Sequence, residues 1–338
     1  MVPDLYADPF GERSATMVRE PLQLLGGRFQ FESNSRQLLR LVDSAYAGLP
    51  RHRLSTVVPR LRIRLILRSG ARALPRTSLE PPPIAMFSGA GLLGGATDSS
   101  NLVFLSPCER AGLVVISPQM LRFAYHTRYE LIEFAMFTLA SRSQGLTSLH
   151  AACVGRAGRG ILLMGPSGSG KSTVALHCLL QDFDFLSEDS VFVEPDTMLA
   201  TGVPNFLHVR SDSLRWLGGS REAASIKNSP VIRRRSGVKK FEVDLRRVRY
   251  RLAPSPLKIV AVVFLSPKSA GNRPLLELMP RARMLAKLTA AQAYAANQPQ
   301  WSAFSKNVAK LDAFELRRGR DPRAAVEVLG KLLGSTAR

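Results

Sequence analysis

The chain has 338 residues and is 45% apolar, enough for two domains of ordinary size and too apolar for wholesale disorder. It has no apolar run near the ~20 residues that cross a bilayer. Its opening, MVPDLYADPFGER, has no apolar core of the secretory kind, so a cytoplasmic protein is expected. Charge is the outlier: 47 Lys+Arg against 26 Asp+Glu, net +21, fitting a nucleic acid, an acidic peptide or a triphosphate as partner, and equally a solvated basic surface.

Residues 1–20 read as a loose polar lead-in. Pro21–Gly26 and Arg28–Glu32 read as short strands, the second placing Phe29 and Phe31 on one face. Ser33-Asn34-Ser35 offers caps to a helix whose stripe is Leu38, Leu39, Leu41, Val42 and Ala45. RLRIRLILR (60–68) alternates arginine with Leu61, Ile63 and Leu65, a strong strand signal. A proline-rich connector over 73–83 follows, then β patterns at 84–93, 101–106 and 112–117. Residues 119–144 keep apolar residues at helical spacing. The expectation is a mixed, sheet-rich N-terminal domain over 21–145 and a second domain over 146–338.

In that second domain, Leu149–Gly155 and Gly160–Met164 read as a hairpin turning at Arg156-Ala157-Gly158-Arg159. Met164 leads into Gly165-Pro166-Ser167-Gly168-Ser169-Gly170-Lys171-Ser172, which fits G-x-x-x-x-G-K-[ST] without mismatch and is followed by a helix-compatible run to Leu180. Glycines let successive N–H groups turn inward on phosphate oxygens, and the helix start adds its positive end. Lys171 supplies a point charge to the β- and γ-phosphates, the Ser172 hydroxyl suits magnesium, and Thr173 adjoins it. Beyond the loop, Phe183–Leu186 and Val191–Val193 read as strands around Ser187-Glu188-Asp189-Ser190. Asp212–Leu217 reads as a helical turn and 226–251, with ten Lys/Arg against Glu242 and Asp244, as a loop or hairpin. A buried strand over 258–265, a shorter one at 275–279 and helices over 281–295 and 322–334 complete the chain. Cys108, Cys153 and Cys178 lack metal-ligand spacing and read as buried free thiols.

Chemistry gathers around the loop. A carboxylate beside bound nucleotide can hold magnesium or accept a proton from an attacking hydroxyl, and Glu188 and Asp189 are the candidates. His150 precedes the strand pair that feeds the loop, and alone it reads as a core histidine as readily as a catalyst.

Together, His150, GPSGSGKS (165–172) and LSEDSVFV (186–193) resemble the catalytic domain of HPr kinase/phosphorylase and its bacterial relatives, a family whose fold resembles phosphoenolpyruvate carboxykinase. The separations, 21 residues from His150 to Lys171 and 18 from Lys171 to Asp189, are similar to the family's. The resemblance implies an α/β fold of that type, Lys171 on the phosphates, Ser172 on magnesium, Asp189 as base and His150 near the γ-phosphate. It covers about 146–210, and the chain departs from the pattern at Thr173, at Glu188 in place of aspartate, and in lacking a clear E-I-R-G segment, for which Glu222 is the nearest acid. Divergent relatives with K-S-T loops include kinases of ribosomally made peptides, those of lasso peptides acting on serine.

The expected function is therefore transfer of the γ-phosphate of ATP, with Mg2+, to a hydroxyl, a serine of a protein or of a ribosomally made peptide precursor. Catalysis falls to Asp189, His150 and Lys171, nucleotide binding to Gly165 through Thr173, and metal binding to Ser172 and Glu188. A homo-oligomer is expected. The alternatives are a small-molecule kinase on the same fold and an ATP-driven switch with a basic nucleic-acid surface. The missing aromatic-rich RNA-binding signature argues against the last.

Overall fold

Alternation organises the first sheet. Among the described residues of this computed structural model (16–55, 57–68, 80–247 and 250–334), seven strands form it: β1 (Val18–Leu24), β2 (Gly27–Ser33), β3 (Arg60–Leu67), β4 (Ala85–Gly89), β5 (Leu92–Asp98), β6 (Asn101–Ser106) and β7 (Ala111–Ile116). Their order is β1-β2-β3-β7-β6-β5-β4, with β3 parallel to both β2 and β7. The period of two buries Leu61, Ile63 and Leu65 and leaves Arg60, Arg62 and Arg64 exposed. Most of the expected lead-in and of the proline-rich connector lies outside the described residues.

The helix Arg36–Tyr46 buries Leu38, Leu39, Val42, Ala45 and Tyr46. Its cap differs from expectation: the Ser35 side chain caps nothing, and Ser33 Oγ instead accepts from Ser35 N–H (3.0 Å) while donating to Leu65 O (2.7 Å). The single helix expected over 119–144 is broken into a 3-10 turn (Met120–Phe123), a short α turn, a π segment (Thr127–Ile132) and an α-helix (Glu133–Gln144). The break sits at Phe123, whose backbone leaves the helical region (φ −106°, ψ 56°), and Thr127 Oγ1 ties the kink by donating to Met120 O. Cys108 is exposed rather than buried, because it falls in the turn joining β6 to β7.

The chain divides into two units, the first built from the described residues of Met1–Leu22, Arg28–Ala47 and Pro59–Ser143, the second from Gln23–Gly27, Gly48–Val58 and the rest from Gln144. The second contains β8 (Thr147–Leu149), β9 (Ala152–Arg156), β10 (Arg159–Met164), β11 (Asp184–Ser187), β12 (Val191–Val193), β13 (Leu199–Gly202), β14 (Phe206–Val209), β15 (Val231–Arg233), β16 (Lys239–Asp244), β17 (Leu257–Ser269), β18 (Leu276–Leu278) and β19 (Asp312–Arg318). Its main sheet runs β11-β9-β10-β17-β13-β12-β8, with β19 joining β17 and β18. At its centre β10, β17 and β19 are parallel, so their carboxyl ends open on one edge. In open sheets that edge is where ligands bind.

Two apolar layers cover this sheet. On one face, Ile161, Leu163, Ala261 and Val263 pack against the helices Lys171–Leu179 and Pro322–Gly334. On the other, Leu162, Met164, Val262 and Phe264 pack with Met284, Leu288 and Phe304 from the helices Arg281–Ala291 and Trp301–Val308. The structure is thus mixed α/β with mixed sheets. A small separate sheet, β14-β16-β15, carries the basic hairpin.

The segment Gly48–Val58 is fastened into the second unit by His52, 2% exposed. Nε2 lies 2.9 Å from Ala253 O and must donate to it, and in the neutral ring that burial favours Nδ1 accepts from Thr201 Oγ1 at 2.8 Å. Burial lowers the His52 pKa below its ordinary 6.5, and the bond to Ala253 only partly opposes this. Such a group contributes stability that is full above about pH 6.5 and is lost as pH falls through that value toward the folded pKa. Urea midpoints are expected to drop below about pH 6.5, with a shallower drop in His52→Gln. Parallel pH profiles for the two proteins would remove His52 as the cause.

Candidate functional site

The loop after β10 folds as its glycines require. Gly165 has φ +153°, and a Cβ there would lie 2.6 Å from Ser169 Oγ and 3.1 Å from Leu265 O, so backbone and loop could not approach as they do. Gly170, at φ +98°, turns the chain into the helix that starts at Lys171. Ser169 N–H donates to Pro166 O (3.2 Å), and Lys171 Nζ donates to Gly165 O (2.7 Å) and Pro166 O (3.4 Å), closing the loop on itself. Burial lowers the Lys171 pKa, as does Lys240, while Asp189 and Glu188 oppose the shift.

His150 comes in at a break. The expected hairpin strand from Leu149 begins only at Ala152, because β8 leaves for β12 while β9 pairs with β10. His150 lies at this change of partner, clamped by Gln292: its N–H donates to Oε1 (2.8 Å) and its carbonyl accepts from Nε2 (3.1 Å). Its Nδ1 lies 3.1 Å from Asp189 O, so it carries the proton and donates. Asp189 arrives by a similar logic. The turn carrying Glu188 and Asp189 joins β11, beside β9, to β12, beside β13, so the acids sit where the chain crosses the sheet.

Glu188 is buried and fully engaged. Ser172 Oγ donates to Oε1, and His208 donates to Oε2 from both its backbone N–H (2.7 Å) and Nδ1 (3.0 Å). His208, on β14, has Nε2 3.5 Å from Glu242 Oε1 on β16. Burial opposes charge on His208, but Glu188 and Glu242 outweigh it and hold its pKa above the ordinary value. Asp189 Oδ2 accepts from Arg234 at 2.8 Å. Burial pushes the Asp189 carboxyl up, but Arg234, His150 and His208 together bring it below the usual range.

These groups meet at a cavity of about 430 Å3, lined by His150, the loop from Ser167 to Thr173, Asp189 and His208, and by the cations Arg210, Arg215, Arg234, Lys240, Arg317 and Arg318. Gly165, Pro166 and Glu188 stand behind this lining. Sequence reasoning did not single out His208, Arg234 or Gln292. Glu222 does not join the site: it is exposed at the start of the helix Arg221–Lys227.

The loop fits a polyphosphate. A Cβ at Gly168 or Gly170 would have open space around it, and Ser169 Oγ is buried in the loop with no hydrogen-bond partner among the described residues. Ser172 and Glu188 present hard oxygen donors side by side, with an Asp189 carboxylate oxygen within 4.8 Å of one of Glu188, an oxygen set that suits magnesium.

No family model matches the sequence, and no curated protein matches it. Among solved structures, the Hpr(Ser) kinase/phosphatase from Coxiella burnetii is a weak neighbour: TM-score 0.27 and 10% identity, covering 56% of this chain and 94% of that one. A likeness of that size carries no weight for either fold or chemistry. No helix among the described residues is long and apolar enough to cross a membrane.

Proposed function

We propose that this chain is an ATP- and magnesium-dependent phosphotransferase that moves the γ-phosphoryl group to a hydroxyl, a serine of a protein or peptide, on a catalytic domain of the HPr kinase type. The observation that carries the reading is the convergence of Lys171, Ser172, Asp189 and His150 on one cation-lined cavity at the carboxyl edge of a parallel strand set, with Glu188 bonded to Ser172 behind the lining. Phosphoryl transfer asks for little covalent help from a protein beyond positioning and charge neutralisation, which is what this lining offers.

The loop N–H groups and Lys171 hold the phosphates, Lys171 leaving Gly165 O to do so. Ser172 and Glu188 would hold magnesium, which when bound neutralises charge developing on the phosphate oxygens. Asp189 takes the acceptor's hydroxyl proton at Oδ1 or Oδ2. His150 steadies the Asp189 backbone through its Nδ1 bond and keeps Nε2 for the cavity.

Purified protein with γ-labelled ATP, magnesium and candidate serine peptides tests the reading. Label on a peptide serine supports it, and label on a small hydroxylated metabolite would shift the acceptor class. Label appearing only as free phosphate would replace it with an ATP-hydrolysing switch.

A further inference from the structure

Arg234 occupies the turn of the basic hairpin β15–β16, closed by Arg234 N–H to Val238 O (2.9 Å) and Gly237 N–H to Arg234 O (2.8 Å). Its guanidinium reaches back to Asp189 Oδ2 at 2.8 Å. The pair is not packed away: the two side chains are 30% and 33% exposed, and both line the cavity onto which the phosphate loop opens. The root of the hairpin, by contrast, is fixed. β16 pairs with β14, and Glu242 on β16 faces the buried His208 that holds Glu188. The Nη2 that meets Asp189 also lies 3.4 Å from His208 Nδ1 and Nε is buried, so an exchange moves the outer, cavity-lining end of the guanidinium while the strands beneath it stay in place.

Two anions compete for such a group. A carboxylate offers two oxygens and one charge, whereas the terminal phosphate of a nucleoside triphosphate offers three oxygens and more charge to the same planar fork of N–H donors. A partly exposed ion pair is weak and easily exchanged. While Arg234 holds Asp189, the guanidinium occupies Oδ2 and its charge makes the whole carboxylate a poorer proton acceptor.

We propose that Arg234 is an exchangeable latch, which holds Asp189 until the terminal phosphate of a bound triphosphate enters the cavity, then passes its N–H donors to that phosphate and releases the carboxylate to the acceptor hydroxyl. The latch rests on the triphosphate reading above. It makes the base available only when the donor is in place, and it adds a guanidinium to the group being transferred.

Calorimetric titrations of wild type, Asp189→Asn, Arg234→Ala and the double variant with ATP and with ADP, magnesium present, test it. Removing the competing carboxylate is expected to tighten ATP binding at least about fivefold, a coupling of ordinary size, and to leave ADP binding unchanged. In the Arg234→Ala background the gain disappears. Arg234→Lys, which keeps the charge and loses the fork, restores part of it and guards against a misfolded alanine variant. A gain of equal size with and without Arg234 would mean mere relief of carboxylate–phosphate repulsion and would overturn the latch. ATP binding without any gain in Asp189→Asn overturns the latch alone, while no ATP binding by wild type overturns the triphosphate reading itself.

Discussion

Asp189→Asn is expected to lower phosphoryl transfer about 10³-fold while ATP binding is not weakened. General base catalysis contributes about 10²–10⁴-fold, and asparagine removes the proton acceptor with almost no change of shape. The backbone survives the change, because the bond from His150 goes to the Asp189 carbonyl and not to its side chain, and it is Arg234 that loses its charged partner. Glu188, the adjacent acid, is committed to Ser172 and to the two His208 donors, so it cannot take over the proton. Single-turnover transfer of labelled phosphate, set beside a calorimetric ATP titration, separates chemistry from binding. Transfer at the wild-type rate would remove Asp189 from the role of base.

Much of the fold is legible in the sequence for physical reasons. The period of two in RLRIRLIL marks β3 because one face of that strand is buried and the other is not. The loop is legible because its backbone takes angles that favour glycine, at Gly165, Gly168 and Gly170. Other parts are hidden by their chemistry. β19 lies beside the central β17, yet its residues DAFELRR look like surface. Glu315 and Arg317 are buried there paired with Arg283 of the helix Arg281–Ala291 and Glu277 of the adjacent strand β18, partners that lie 32 and 40 residues away in sequence. β14 is four residues long and ends one residue past a lone histidine whose partners, Glu188 and Glu242, are 20 and 34 residues away in sequence. Arg234 is one of three consecutive arginines, and only the turn geometry of the hairpin selects it. A signal for His208 existed in part, since a histidine inside the apolar run FLHV is a buried polar group in need of partners. Sequence could not say which.

Those partners make Glu188 the second position where a large effect is expected. Its side chain is 3% exposed and that of His208 4% exposed, and each supplies the other's principal compensation for burial. Breaking a buried, hydrogen-bonded pair by removing one member costs about 3–5 kcal/mol, because the other is left desolvated without its counter-charge. Glu188→Ala is therefore expected to destabilise the second unit by about 3 kcal/mol or more in urea unfolding, with the Ser172 hydroxyl also losing its acceptor. Glu188→Gln keeps a carbonyl oxygen for one His208 donor and is expected to cost about half as much or less, since one neutral hydrogen bond survives. The two variants separate scaffold from chemistry. If Glu188 serves only to hold His208, the glutamine variant recovers transfer along with stability. If its oxygen also holds magnesium beside Ser172, the glutamine variant folds but needs far more magnesium to reach the same rate. A fully active, magnesium-insensitive Glu188→Gln protein would take Glu188 out of the metal site and leave it a structural carboxylate.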